Sequence, residues 1–145
     1  MLDFITTDHS PAPPTIKELE SGNLQKAWGG IAGLQLLLPA AWTAMKEKIS
    51  LEKFIPLLTE HPAKFLQVDN RKAKLAVGFD ADMVVWNPDE KMEVKANDIL
   101  HRYDCSPYCG KELFGTVQQT IVNGITVYQN KKVVKKNSGK WLLKK

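Results

Sequence analysis

The chain predicts a mixed α/β fold whose elements change character along its length. Two periodicities carry this. Apolar residues recur at spacings of three and four in the first half, at Leu34, Leu37, Leu38, Ala41, Trp42 and Met45, the pattern of a helix with one buried face. Past residue 74 the period drops towards two and turn dipeptides take over, as in antiparallel strands. A third observation is the opening, where Phe4-Ile5 runs into Thr6-Thr7-Asp8-His9-Ser10-Pro11. A buried strand that ends in a carboxylate is how barrel folds present acidic groups at the C-terminal ends of strands, where their chemistry collects.

Each element has local grounds. Residues 4–5 are expected as a short strand. Pro11, Pro13 and Pro14 stiffen the loop that follows, because they fix φ and remove amide donors, and residues 17–20 fit a helical turn. Gly29, Gly30 and Gly33 punctuate the start of the first helix. Ser50 is the expected N-cap of a second, with Leu51, Phe54, Ile55 and Leu58 as its apolar face and Pro56 expected to kink or shorten it. Pro62, at a first-turn position, starts a third with Ala63, Phe65 and Leu66 buried. Residues 74–86 read as a hairpin: Leu75 and Val77, a turn at Gly78-Phe79-Asp80, then the apolar strand Met83-Val84-Val85-Trp86, ended by Asn87-Pro88. Residues 92–94 form a short strand and residues 117–122 alternate. Asn123-Gly124 is a hairpin turn, after which Ile125, Val127 and Tyr128 run back. Asn130-Lys131 turns again before residues 132–135.

Composition bounds the class. A length of 145 residues, with 43% hydrophobic and 25% charged, suits one ordinary globular domain. No apolar run nears the ~20 residues that a bilayer crossing needs, so no membrane partner is expected. The first residues lack the basic region and apolar core of a secretory signal; an intracellular, cytoplasmic location is the default, with peroxisome and mitochondrion left open. Much of the net charge of +4 comes from Lys131, Lys132, Lys135, Lys136, Lys140, Lys144 and Lys145. These alternate with Val133, Val134, Leu142 and Leu143 rather than with the stacking aromatics of a single-strand binder. A solvated edge is expected, with no nucleic-acid partner; a basic β-rich nucleic-acid binder ranks well below it. His101, Cys105 and Cys109 have an H-x3-C-x3-C spacing, but structural zinc wants four ligands and Pro107 breaks any helix that would align them. Reduced thiols are the expectation.

Asp8 by itself reads two ways: an ordinary loop carboxylate, or one corner of a metal site whose other ligands lie elsewhere. No His-x-His pair accompanies it. His61 reads as a helix cap and His101 stands in an unrelated context. Four segments in order then carry a resemblance: Thr7-Asp8-His9-Ser10-Pro11; Trp28-Gly29-Gly30-Ile31-Ala32-Gly33-Leu34-Gln35; Gly78-Phe79-Asp80-Ala81-Asp82-Met83-Val84-Val85-Trp86; and Ser106-Pro107-Tyr108 with Gly110, leading to Val122-Asn123-Gly124. The third is common across amidohydrolases; the first two, with the stretch at residues 101–110, are more specific. Together they resemble the C-terminal part of the metal-dependent cyclic amidohydrolases (hydantoinases, dihydroorotases, allantoinases), the allantoinases above all. Essentially the whole chain is covered.

The resemblance implies the C-terminal end of a (β/α)8 barrel plus part of a small β-sandwich. Residues 1–71 would supply the last barrel strand, the metal and substrate loop and outer helices; residues 72–145 would supply the sandwich portion. It implies a binuclear zinc centre in the complete enzyme, held by histidines, a carbamylated lysine and one aspartate. Asp8 matches that aspartate, as metal ligand and as the catalytic group that accepts the proton of the attacking water. Gly29, Gly30 and Ile31 match the loop whose main chain contacts the ring substrate, glycine letting backbone approach a flat ligand closely. His9 and Pro11 lie beside the metal as pocket-shaping residues, and Asp80 and Asp82 read as turn-formers. The family's other metal ligands have no counterpart here and are expected before Met1; Lys48 stands where the family has a glycine. The implied activity is hydrolysis of the hydantoin ring amide of allantoin, or a similar cyclic ureide, to allantoate in purine breakdown, by a homo-oligomer, a tetramer. The fragment alone is expected to retain no zinc and no activity. It is also expected to aggregate or pack loosely, because Leu34, Leu37, Leu38, Phe54 and Leu58 would lack their barrel partners. The alternatives are another cyclic amidohydrolase, dihydropyrimidinase- or hydantoinase-like, or a non-catalytic module that docks on complete subunits.

Overall fold

The computed structural model describes residues 2–103 and 105–143. Among them are three helices, α1 (Leu37–Met45), α2 (Leu51–Leu58) and α3 (Glu60–Phe65), followed by four strands, β1 (Met83–Glu93), β2 (Glu112–Val122), β3 (Ile125–Gln129) and β4 (Lys132–Val133). The strands form one antiparallel sheet in the order β1-β2-β3-β4. The fold is therefore mixed α/β with an antiparallel sheet.

The helices follow the 3.6-residue pattern where it is strongest. Trp42 and Phe54 fill the join between α1 and α2, their rings 5.1 Å apart, and Trp42 meets Trp86 of β1 edge-on at 5.9 Å. Phe54 is fully buried, 0% exposed, which corrects the expectation that it lacks a partner: Trp42 covers it from within the chain. Leu37, Leu38 and Leu58 are half-buried and Leu34 is exposed. Phe65 and Leu66 were expected inside and are out, Phe65 at 71%. With only six residues, α3 buries just Ala63. Pro56 sits inside α2, which stops two residues later. The carbonyls left over at that end are met by Thr59 Oγ1 on Ile55, the Thr59 amide on Pro56 and the Ile5 amide on Leu57, at 2.9, 3.3 and 3.0 Å, as helix C-termini require. Lys17 N–H closes a short 3₁₀ turn at Pro14–Ile16, just before the helical turn expected at 17–20.

The opening strand is not formed as a strand. A strand exists through lateral pairing; beside residues 4–5 lies helix α2, so the Ile5 amide takes a helix carbonyl instead. His61 caps no helix end: it lies inside α3 and its Nδ1 bonds the Asp3 carbonyl at 2.6 Å, tying the N-terminal segment down.

In the sheet, the hairpin at Asn123-Gly124 takes positive φ at both residues, 49° and 76°, the conformation a two-residue turn needs. The hairpin expected over residues 74–86 is corrected. Leu75 is 81% exposed and unpaired with any strand, because β1 is the sheet's edge. Strand β1 also runs through Asn87-Pro88 and absorbs the short strand expected at 92–94. Register explains how: Asn87 pairs Thr116 and Lys91 pairs Phe114, so Pro88, Asp89 and Glu90 bulge opposite Gly115 alone. Proline, lacking an N–H, is at home in an edge bulge. Trp42 Nε1 donates to the Pro88 carbonyl at 2.9 Å, and Thr43 Oγ1 accepts from the Phe114 amide at 2.7 Å, so α1 is hydrogen-bonded onto the bulge. Gly115 has φ +99°, and a Cβ there would stand 2.9 Å from the Trp86 ring. No other residue fits.

Asp80 and Asp82, expected as turn-formers, instead make ion pairs. Asp80 pairs Arg71 at 2.8 Å and Lys72 at 2.9 Å; Asp82 bonds Lys72 and accepts the Asn123 amide at 2.8 Å. The pair thus fastens residues 71–82 to the β2–β3 turn. Hydrogen bonds from Lys72 and then Arg71 hold Asp80 below the ordinary aspartate value near 3.8. At Asp82 burial pushes the other way, and Lys72 with the Asn123 N–H overcomes it. For a carboxyl depressed on folding, the stability it adds is present above its unfolded pKa and is lost as pH falls through the folded one. The urea midpoint should therefore hold from neutral pH down to about 5 and fall below about 4. Lys72→Met should lower the neutral midpoint and flatten the acid fall; superimposable profiles would contradict this.

Of the basic tail, Lys144 and Lys145 lie outside the described residues, as does Asp104 of the 101–110 stretch. Lys131, Lys132, Lys135, Lys136 and Lys140 are exposed. No helix among the described residues is long and apolar enough to cross a membrane.

Candidate functional site

Two short segments that contain no regular structure are held side by side. His9 and Ile31 form an isolated parallel bridge, with the Ser10 amide donating to the Ile31 carbonyl at 2.9 Å. Trp28 Nε1 donates to Ser10 Oγ at 2.8 Å, and the Leu34 amide donates to His9 Nδ1 at 3.2 Å. Accepting at Nδ1 leaves the neutral imidazole of His9 with its proton on Nε2. Between the segments opens a cleft of about 380 Å³ lined by Asp8, Ser10, Trp28, Gly29 and Gly30.

Backbone conformation explains the residue types. Gly30 has φ +72°, and a Cβ there would fall 2.5 Å from Ser10 Cβ and 3.1 Å from the Asp8 carbonyl oxygen. Asp8 itself takes φ 45°, a region that aspartate tolerates better than most residues. Its carboxylate is exposed at the cleft, beside the bare main chain of the two glycines. The structure thus brings Asp8, Gly29 and Gly30 together, with His9 and Ile31 joined just behind. Pro11 is exposed and does not line the cleft.

Distant segments buttress this arrangement. Ser106 Oγ donates to the Ala32 carbonyl at 3.1 Å. Gln35 brackets residues 98–100, donating to the Asp98 carbonyl at 2.7 Å and accepting the Leu100 amide at 2.8 Å. His101 is not in the unrelated context expected of it. Its ring meets that of His9 edge-on, centroids 5.8 Å apart, and both its ring nitrogens are buried without a hydrogen-bond partner among the described residues. Sequence reasoning also passed over Ser10, Trp28 and Lys17 as working parts of the cleft. Ser10 and Trp28 lie inside the quoted motifs, and His101 opens the stretch at residues 101–110 that the resemblance also uses; Lys17 gave no local signal, because only folding brings it in.

Among the described residues no three His, Cys, Asp or Glu side chains gather as a metal cage. Zinc takes about four donors, and Asp8 offers one carboxylate, so this donor set does not fit a zinc pair. His101, Cys105 and Cys109 likewise do not cluster, and the two cysteines form no disulfide.

Residues 16–128 match the model of the amidohydrolase family. The chain is 35% identical to the probable allantoinase 2 of Dictyostelium discoideum, over 99% of this chain and 29% of that protein. It is 37% identical to the allantoinase of Bacillus licheniformis over 90% of this chain and 29% of the relative. In structure it is similar to an L-hydantoinase (dihydropyrimidinase) from Arthrobacter aurescens, with a TM-score of 0.80, 32% identity, and coverage of 91% of this chain and 30% of the other. The chain spans about three tenths of the length of these relatives.

Proposed function

We propose a cyclic-amide hydrolase function from one premise: the chain belongs to the amidohydrolase family. Relatives named allantoinases make allantoin, or another cyclic ureide, the substrate class of choice. In this reading the chain corresponds to the C-terminal portion of such an enzyme. Residues 1–71 belong to the end of a (β/α)8 barrel and residues 72–145 to its β-sandwich, and the complete enzyme uses zinc in purine breakdown as a homo-oligomer. The observation that carries the reading is the cleft, where the Asp8 carboxylate and the two glycines share one lining.

This chain's own contribution is specific. Asp8 is the group that can take a proton from water attacking a ring amide. Gly29, with nothing within 4 Å of where a Cβ would stand, lets the ring lie against main chain, and Gly30 lets Ser10 pack close beside it. Ile31 and His9, clamped by their bridge, fix the height of that floor, and the Nε2–H of His9 remains a hydrogen-bond donor. The zinc is not this chain's to hold: its remaining ligands belong to the part of the enzyme that the relatives have and this segment does not supply.

The docking reading has one observation of its own: Leu24, Phe65, Leu75 and Val77 are largely exposed, an apolar surface that a larger assembly would cover. Purified chain, incubated with zinc and allantoin, should open no ring above the buffer rate and should carry no stoichiometric zinc after desalting. Zinc-dependent ring opening that disappears in Asp8→Ala would overturn the proposal of a partial site.

A further inference from the structure

Lys17 performs a task that its surface position does not announce. Its ammonium lies 2.7 Å from the carbonyl oxygen of Gly30 and 3.3 Å from those of Ser10, Trp28 and Gly29. An ammonium has three protons, so four acceptors around it amount to a saturated carbonyl nest. The nest draws on both walls of the cleft, Ser10 from one segment and three consecutive carbonyls from the other. Consecutive carbonyls do not converge in a strand, where they alternate in direction; the left-handed turn at Gly30 is what lets them face one point. Lys17 is aimed there by the turn before it. Pro14 opens that turn, the Lys17 amide closes it on the Pro14 carbonyl at 3.1 Å, and the Trp28 amide docks on the Ile16 carbonyl at 2.8 Å.

We propose that Lys17 is the positioning residue of the cleft, a built-in cation that holds the Asp8 segment against the glycine segment by gathering their carbonyls. That the cleft so held receives a cyclic amide rests on the function proposed above; the positioning role does not. Without the cation, four carbonyl dipoles would point at one another, and the segments should part. Bonds to a charged donor are about twice as strong as neutral ones, so one lysine can order segments that have no ladder of their own.

The test uses the intact chain and hydrogen exchange followed by nuclear magnetic resonance, which needs no activity. In Lys17→Met the Ser10 amide and the Trp28 indole N–H should exchange about ten- to a hundredfold faster, while amides of the β1–β2 ladder keep their protection. In Lys17→Ala, ammonium chloride should restore protection at both positions, and sodium chloride at equal ionic strength should not. Unchanged exchange at Ser10 and Trp28 in Lys17→Met would overturn the proposal. If Lys17→Met loses protection throughout, the Lys17→Ala titration decides: recovery with ammonium supports the role, and no recovery, or equal recovery with sodium, overturns it. A failure here would leave the proposed activity standing, and a failure of that activity would leave this result intact.

Discussion

Phe54→Ala is expected to cost about 3–5 kcal/mol. The ring is completely enclosed and lies against Trp42, which in turn meets Trp86 of β1 and donates its indole N–H to the Pro88 carbonyl. Removing it therefore opens a cavity between α1 and α2 and frees the indole that docks α1 on the sheet. The fully buried core is small: beside Phe54, only Val94 among the described residues has a large side chain enclosed to a similar degree. Domains of this size are stable by about 5–15 kcal/mol, so a loss of this size is a large share of the total. Urea unfolding of the soluble fraction, followed by tryptophan fluorescence, measures it. A loss under about 1 kcal/mol would mean that the packing of α1, α2 and β1 described above does not hold the fold.

How much of this was legible in the sequence depends on what each residue needs from elsewhere. The hairpin at Asn123-Gly124 was plain because its conformation is set by the two residues themselves. The helical stripe from Leu34 to Met45 was plain because its period is local. The opening strand was not, since a strand is a relation between segments and Phe4-Ile5 finds a helix rather than a strand beside it. Pro88 misled in the same way. It reads as a terminator, yet a bulge opposite Gly115 lets β1 continue past it, and the reason lies in the partner strand and in Trp86. Phe65 and Leu66 have the composition of a core and remain outside, because a short helix turns only one face inward.

The cleft divides along the same line. Asp8, His9, Gly29, Gly30 and Ile31 came from two contiguous motifs, and the bridge between His9 and Ile31 now gives a physical reason for their proximity. The structure gives Gly30 a packing role that the sequence did not suggest: its missing Cβ lets the two segments touch. Lys17 and the contact of His101 with His9 were beyond reach, because they join the cleft only by hydrogen bonds and ring contact across long separations. Ser106 and Gln35, inside quoted motifs, buttress the loop.

The largest effect on function is expected at Asp8. In the proposed reading the chain supplies one carboxylate of the site, so the loss of that carboxylate shows only where the rest of the site is present. The Bacillus licheniformis allantoinase, which aligns with 90% of this chain over 29% of its own length, offers that setting. With its matching segment replaced by this chain, the hybrid should open the allantoin ring, and Asp8→Ala in the hybrid should lower kcat about a hundredfold to ten-thousandfold, the range for loss of a general base. Asp8→Asn, which keeps the shape and removes the proton acceptor, should do the same. Gly30→Ala should also impair the hybrid, through the 2.5 Å approach to Ser10, but with the zinc content unchanged. The most direct measurement is therefore the rate of allantoin hydrolysis by the folded, zinc-loaded hybrid with and without the Asp8 carboxylate. Ring opening that collapses in Asp8→Ala is the result expected. A folded, zinc-loaded hybrid that turns over equally well with alanine at position 8 would contradict the assignment of the Asp8 carboxylate to the reaction.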